Sequence, residues 1–209
     1  MTRIALVPGV LALSSRYGSL EDPVADLRTA VTAALDWVGP DPRVVGDGHG
    51  VIAGLLAERA AGSTGEGDAA SAAPGRGEPG SQRGETRISA VANPDLGVVV
   101  VANGSAKRTE KAPGHFDERA LAFDDWLREA LTVAPGDLAH LDHALAEELW
   151  ADVEALGTLS DLLTGPKPAD FAPAETDQGP QRPQVRLIGV DYDDDPYGVK
   201  YWVIRWEVQ

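Results

Sequence analysis

The apolar run from Val98 to Ala102 constrains the fold of this chain more than any other stretch. A strand built from Val-Val-Val-Val-Ala is apolar on both faces, as in parallel sheets that helices cover on both sides. Asn103-Gly104 ends the run and opens a polar, cationic loop. Ligands of open α/β sheets bind just beyond the carboxyl ends of the strands. The loop from Asn103 to His115 is therefore the predicted place of a functional site.

Strand and helix patterns alternate along the chain, which is typical of an α/β fold. Short strands are predicted near the N-terminus at Arg3 to Val7 and Arg43 to Val45. Near the C-terminus, strands are predicted at Val185 to Val190 and Val199 to Val208. Apolar residues at helical spacing predict helices over 23–37, 51–61, 117–131 and 137–156.

These elements predict a three-layer sandwich with a central mixed, mainly parallel sheet and a C-terminal antiparallel hairpin. In the last strand the alternate residues Trp202, Ile204 and Trp206 share one face, which is predicted to be core. The whole chain, 1–209, is expected to form a single domain. The segment at about 62–86 is poor in large apolar residues and is predicted to be a flexible excursion, with a short strand after it at Ile88 to Ala92.

Composition excludes several classes of protein. The 209 residues include no cysteine, which rules out disulfides, zinc fingers and iron–sulfur clusters. The formal net charge of −15 repels nucleic acid and anionic membranes, so neither is an expected partner. No segment approaches the roughly 20 apolar residues of a membrane span, and the N-terminus lacks a clear signal peptide. A cytoplasmic protein is the expectation.

The central loop carries a pattern shared with a known family. Asn103-Gly104-Ser105 ends the strand, Ala112-Pro113-Gly114 follows in the loop, and Asp117 and Phe123-Asp124 lie in the next helical segment. This pattern resembles the catalytic chain of class III extradiol ring-cleavage dioxygenases and its short bacterial relatives. The resemblance extends to the N-terminal strand with its Pro8 turn. It implies an extradiol-dioxygenase-like domain.

The resemblance also implies a chemistry that this chain matches only in part. The family holds Fe(II) with two histidines and a carboxylate, which leaves positions open for a catechol and dioxygen. Here Gly9 stands where the first histidine is expected, and Ala106 replaces the catalytic histidine. His49, in a glycine-rich turn, is the candidate metal ligand, with simple exposure to solvent as the alternative. Glu147 and Glu148 are the nearest candidates for the carboxylate.

Polar side chains of the central loop supply the remaining candidates. Ser105 and His115 are the catalytic candidates, although Ser105 lacks the Gly-x-Ser-x-Gly context of a serine hydrolase. The alternative for His115 is a contact at the start of the next helix. Asn103, Lys107 and Arg108 are the candidate substrate-binding residues. The two cations suit an anionic substrate, and charge balance is the alternative.

Two other polar clusters are predicted to face solvent. His140, His143 and Glu147 lie on one face of a predicted helix, opposite its leucines. The aspartates between Asp191 and Asp195 do not match a calcium loop and are expected to form a charged turn.

Two functions stay open from the sequence. The first is an extradiol-dioxygenase-like enzyme or its remnant, which would use Fe(II) if active and act on a small aromatic ligand. The second is a non-catalytic module of the same fold, without a cofactor, that recognises an anionic small molecule or a partner subunit. Whether the chain forms a homo-oligomer or needs a second subunit to complete its site also stays open.

Overall fold

The computed structural model describes residues 1–13, 22–63, 97–165 and 183–209. These residues form a mixed five-stranded sheet with helices packed against it, which confirms the α/β prediction. Nearly all of the predicted excursion at 62–86, and the predicted strand at Ile88 to Ala92, lie outside the described residues. No helix in the described part of the chain is long and apolar enough to cross a bilayer.

The strands are β1 (Thr2–Val7), β2 (Arg43–Val45), β3 (Val98–Val101), β4 (Val185–Asp194) and β5 (Tyr201–Val208). They lie in the order β2-β3-β1-β5-β4. β3 pairs in parallel with β1 and β2, whereas β5 pairs antiparallel with β1 and β4. Among the described strands two pairs are parallel and two are antiparallel, and every strand except β5 runs in the same direction.

The helices of the described residues are α1 (Ala25–Val38), α2 (His49–Ser63), α3 (Arg119–Thr132), α4 (His143–Glu148) and α5 (Val153–Thr164). The single helix predicted over 137–156 is wrong, because a 3₁₀ turn at Pro135–His140 and two α-helices occupy that region. Asp142 begins α4 by accepting a hydrogen bond from the N–H of Leu145 at 3.0 Å. Just after α4, Trp150 adopts a φ of 60°, which no α-helix accommodates.

Both faces of the sheet are buried. On one face, Ile4 and Val100 join the tryptophans of β5 and the apolar sides of α3 and α5. On the other, Ala5 and Val99 pack with α1 and α2. All four valines of β3 are at most 7% exposed, which confirms the prediction of a strand that is apolar on both faces. The predicted core face of β5 is confirmed as well, since Trp202, Ile204 and Trp206 lie in one cluster.

Three loops meet at the carboxyl ends of the parallel strands. Gly9, after β1, lies so close to Gly48 that a Cβ added at Gly9 would be 2.8 Å from the Cα of Gly48. Gly46, after β2, has a φ of 110° and lies against Val101 at the end of β3. The connection between β4 and β5 reaches the same edge, because Leu6 of β1 pairs with Ile204 near the start of β5. This edge is where open α/β sheets bind ligands.

Replacing Gly46 by alanine tests the close approach of the loops. A Cβ at this position would collide with the carbonyl oxygen of Val101, and the positive φ adds strain. We expect Gly46→Ala to lower the free energy of unfolding by about 3 kcal/mol, from left-handed strain and overpacking together. Urea denaturation measures the change. Gly50→Ala is the control, because a Cβ there meets no atom within 4 Å. Equal losses in the two variants would contradict this local packing.

Candidate functional site

The main chain of the central loop, residues 102–118, is bonded to the connection between β4 and β5. The N–H of Gly104 donates to the carbonyl of Lys200 at 2.8 Å, and the N–H of Lys200 donates to the carbonyl of Ser105 at 2.9 Å. The N–H of Arg108 donates to the carbonyl of Gly198 at 3.1 Å. These bonds satisfy three N–H groups and three carbonyl groups of the two segments, which reduces the cost of burying them.

A buried ionic cluster holds the side chains of the same loop. Asp124 on α3 is 1% exposed and accepts hydrogen bonds from the Ser105 N–H (2.9 Å), the Ser105 hydroxyl (2.6 Å) and the Arg108 guanidinium (2.8 Å). The Nε–H of Arg108 donates to Asp195, beyond the end of β4, at 2.6 Å. We call Ser105, Arg108, Asp124 and Asp195 the central ion cluster. It joins the loop after β3, helix α3 and the connection between β4 and β5.

Burial and ion pairing shift the pKa values of the central ion cluster in opposite directions. Burial raises the pKa of Asp124 above its ordinary value, and the hydrogen bonds from Ser105 and Arg108 act against that shift. Burial lowers the pKa of Arg108, but its hydrogen bonds to Asp124 and Asp195 outweigh burial and leave the pKa raised. Breaking a buried ion pair by removing one partner typically costs about 3–5 kcal/mol. The cluster therefore stabilises the contact between the central loop, α3 and the connection between β4 and β5.

Two of the predicted site residues belong to this cluster. Ser105 is fully buried, and its hydroxyl donates to a carboxylate and not to a histidine. The side chain of Arg108 is 13% exposed, and its ion-pair partners are the carboxylates of Asp124 and Asp195. An anionic ligand at Arg108 would have to compete with both. The catalytic role of Ser105 and the substrate-binding role of Arg108 stay predictions.

Asn103 and Lys107 lie on either side of the buried part of the loop. The N–H of Asn103 donates to the carboxylate of Asp152 at 2.6 Å, and its buried Oδ1 has no hydrogen-bond partner within the described residues. The Nζ of Lys107 lies 5.6 Å from the ring centre of Trp150, which is cation–π range. Trp150 is 56% exposed. Its positive φ costs about 1–3 kcal/mol, so the surrounding contacts must hold it in place.

The predicted histidines lie on different elements of the sheet edge. His49 is the first residue of α2 and follows the glycine that touches Gly9. His115 is exposed and has a φ of 60°. Ala106, which takes the place of the catalytic histidine in the resemblance, is 8% exposed, and its N–H donates to the carbonyl of Leu149 at 2.9 Å. The roles of His49 as a metal ligand and of His115 as a catalytic group stay predictions.

A cleft of about 370 Å³ opens beside the end of β2, and we call it the edge cleft. Among the described residues, its charged lining consists of Asp47, Glu147, Asp152 and Glu154. Burial and the neighbouring Asp47 raise the pKa of Asp152, while the N–H of Asn103 opposes that shift. Four carboxylates in one cleft repel an anion. The edge cleft therefore does not suit an anionic substrate.

The described side chains do not by themselves form the Fe(II) site that the resemblance implies. No three His, Asp or Glu groups among them could hold a metal ion. The side chain of His49, the candidate ligand, lies outside this described set. His140 ends the 3₁₀ turn and His143 begins α4, so the two histidines and Glu147 do not share one helix. All three side chains are exposed, as predicted.

Asp191, Asp193 and Asp194 lie in β4 and Asp195 follows it, so the predicted charged turn is wrong for the first three. Most of these aspartates have ion-pair partners. Asp191 pairs with Arg205 at 2.6 Å, Asp193 pairs with Lys200 at 2.6 Å, and Asp195 belongs to the central ion cluster. These ion pairs explain the acidic run without a calcium ion.

Comparison with known proteins does not assign the chain to a family. A scan against protein-family models and a search of curated proteins both find no match. The functional argument therefore depends on the residues of this chain and their geometry.

Sequence patterns alone missed the acidic partners of the loop. Asp124 appears in the family-like Phe123-Asp124 pair, but that pair does not reveal which residues it binds. Asp195 lies 87 positions from Arg108 and Asp152 lies 49 positions from Asn103, so no local pattern connects them. The acidic run that contains Asp195 was the only local signal for an ion-pair partner.

Removing the carboxylate of Asp124 tests the central ion cluster. Asp124→Ala leaves Ser105 without its acceptor and Arg108 with one partner instead of two. We expect a loss of about 3–5 kcal/mol in the free energy of unfolding, measured by urea denaturation. Asp125→Ala is the matched control, since Asp125 is exposed on the same helix, and it should change stability by less than about 0.5 kcal/mol. A small effect of Asp124→Ala on the free energy of unfolding would show that the cluster does not stabilise the fold.

Asp117, just before α3, gives a prediction about pH. Its carboxylate accepts hydrogen bonds from the side chain and the N–H of Arg119, which lower its pKa from 3.8 to about 2. The stabilisation is therefore fully present above the unfolded-state pKa of 3.8 and is lost as the pH falls through about 2. Carbon-13 NMR titration should show this pKa, and Arg119→Gln should return it toward 3.8. Arg128→Gln, whose partner is Asp193, should leave it unchanged.

Proposed function

We propose that this chain is a non-catalytic interaction module with an extradiol-dioxygenase-like fold, which binds a partner subunit and does not cleave catechols. The observation that carries the proposal is the central ion cluster. In the family that the loop resembles, this loop supplies the catalytic histidine. Here its serine and arginine are bonded to Asp124 within the protein.

The packing around the two missing histidines supports the proposal. A Cβ at Gly9 would lie 2.8 Å from the Cα of Gly48 and 2.9 Å from Cγ1 of Val101, closer than real Cβ atoms come. Ala106 is nearly buried, and its N–H is bonded to the carbonyl of Leu149. A histidine side chain at either position would require the neighbouring loops to move. This packing favours a module over a metal-dependent enzyme.

Charge favours a partner subunit over an anionic small molecule. Arg108 already pairs with two carboxylates, and Lys107 lies over the ring of Trp150. Lys111 is exposed on the loop, but the edge cleft beside the end of β2 is lined by four carboxylates of the described residues. The formal net charge of −15 repels a small anion from a distance as well.

A second candidate function is Fe(II)-dependent extradiol cleavage of a small aromatic substrate. What favours it is the meeting of the loops after β1, β2 and β3 at one edge of the sheet. In this alternative His49 would be a ligand, His115 would transfer a proton, and a second subunit would supply the missing ligands.

The finer architecture belongs to the same proposal. We infer a single domain in which the sheet is the middle layer of three, with α1 and α2 on one side and α3 and α5 on the other. The separate apolar clusters on the two faces support this inference. The antiparallel pairing of β4 with β5 supports a C-terminal hairpin. A cytoplasmic location stays an expectation.

Iron analysis distinguishes the two candidate functions. Untagged protein, purified without oxygen from iron-supplemented cells, is expected to contain far less than one iron per chain, because the described residues include no three-ligand group. Oxygen uptake with catechol, or with a carboxylated catechol, is expected to stay at the background rate. Mass spectrometry gives the iron content, and an oxygen electrode gives the rate.

Histidine variants show which residues bind any iron that is found. The double variant His140→Ala/His143→Ala removes the exposed pair that could bind metal adventitiously. His49→Ala removes the predicted ligand. The proposal is overturned by near-stoichiometric iron that survives the double variant, disappears in His49→Ala and supports oxygen uptake.

A further inference from the structure

An open apolar groove lies between α3 and the segment that contains the 3₁₀ turn and α4. Its volume is about 490 Å³, and its walls are Ala122, Phe123 and Trp126 of α3 and Leu145 of α4. Arg119, His140 and Asp142 also line it and supply its polar groups. We call this feature the helix groove. It lies outside both the central ion cluster and the edge cleft.

Apolar side chains are exposed in the helix groove and near it in the sequence. Trp126, a wall of the groove, is 36% exposed, and Phe116, just before α3 and outside the lining of the groove, is 47% exposed. Tryptophan and phenylalanine on a surface are enriched where proteins associate. Apolar surface of this kind, rimmed by charged residues, marks an interaction site more often than an isolated exposed side chain does.

The charge around the helix groove is strongly negative. Between residues 118 and 148, seven acidic side chains are exposed, against two arginines. Both arginines are already paired, Arg119 with Asp117 and Glu148, and Arg128 with Asp193. The surroundings of the groove therefore attract lysines and arginines and repel carboxylates.

We propose that the helix groove is the docking site for an amphipathic helix of a partner subunit. The apolar residues of that helix would fill the groove, and its lysines or arginines would face the acidic surroundings. A second copy of this chain suits the site less well, because it would bring another formal charge of −15 to an acidic surface. This inference rests on the proposed interaction module and names the surface and the chemistry of its partner.

A designed helical peptide of about four turns tests the inference. The probe carries leucines at positions i, i+3, i+4 and i+7 on one face and lysines elsewhere, and its counterpart carries glutamates in place of the lysines. Binding of the fluorescently labelled peptides to the full chain is followed by anisotropy. We expect the lysine peptide to bind, to weaken as salt is added, and to bind at least about tenfold more tightly than the glutamate peptide.

Three variants locate the binding site. Ala122→Arg places a cation inside the groove, and Trp126→Ala removes its largest wall, so each should weaken binding about tenfold or more. Leu121→Arg is the matched control, because Leu121 is exposed one position away and does not line the groove. It should keep the affinity within about twofold. Circular dichroism verifies that each variant is folded.

Several results would overturn this inference. They are the absence of binding by the lysine peptide, equal binding by the glutamate peptide, or full affinity in both groove variants. Concentration-dependent dimers that Ala122→Arg abolishes would identify a second copy as the occupant instead. The iron and oxygen measurements are independent of the peptide, so failure at the groove and failure of the proposed function can be distinguished.

Discussion

The rest of the structure depends on the hydrogen bonds and the ion pair that the carboxylate of Asp124 accepts. It is almost fully buried on α3 and receives three hydrogen bonds from the loop after β3. Because a buried charge without partners is costly, few other conformations of this loop are compatible with a packed α3. The same bonds orient Arg108 toward Asp195. One carboxylate thus sets the positions of three segments that are far apart in the sequence.

This arrangement limits what the carboxyl edge of the sheet can do. In open α/β proteins the loops at this edge usually provide the functional side chains. Here the main chain of the central loop is bonded to residues 198–200, and its serine and arginine are bonded to carboxylates. These particular polar groups are engaged within the protein. The layout of a fold does not decide its function, which depends on the side chains at the site.

The predictable parts of the structure are those that local patterns decide. The valine run of β3 and the alternation in β5 identify buried strands, because burial there follows from neighbours one or two positions apart. The break of the predicted helix at Trp150 was not predictable, since a positive φ at tryptophan is imposed by tertiary contacts. The sequence also placed the central loop at the end of β3, but it did not reveal which groups the side chains of that loop would contact. An arginine in a loop has the same local sequence whether it faces a ligand or, like Arg108, a distant carboxylate.

The carboxyl edge of the sheet and the surface along α3 and α4 differ in how many of their polar and apolar groups have partners within the protein. At the carboxyl edge, the ion pairs of Asp124, Asp193 and Asp195 neutralise nearby cations, and main-chain bonds close the loop onto the sheet. Along α3 and α4 the groups lack such partners. Trp126 is partly exposed to water, and the exposed acidic residues outnumber the arginines. Exposed apolar surface carries a free-energy cost that is recovered only when something covers it. That contrast supports the proposed interaction module.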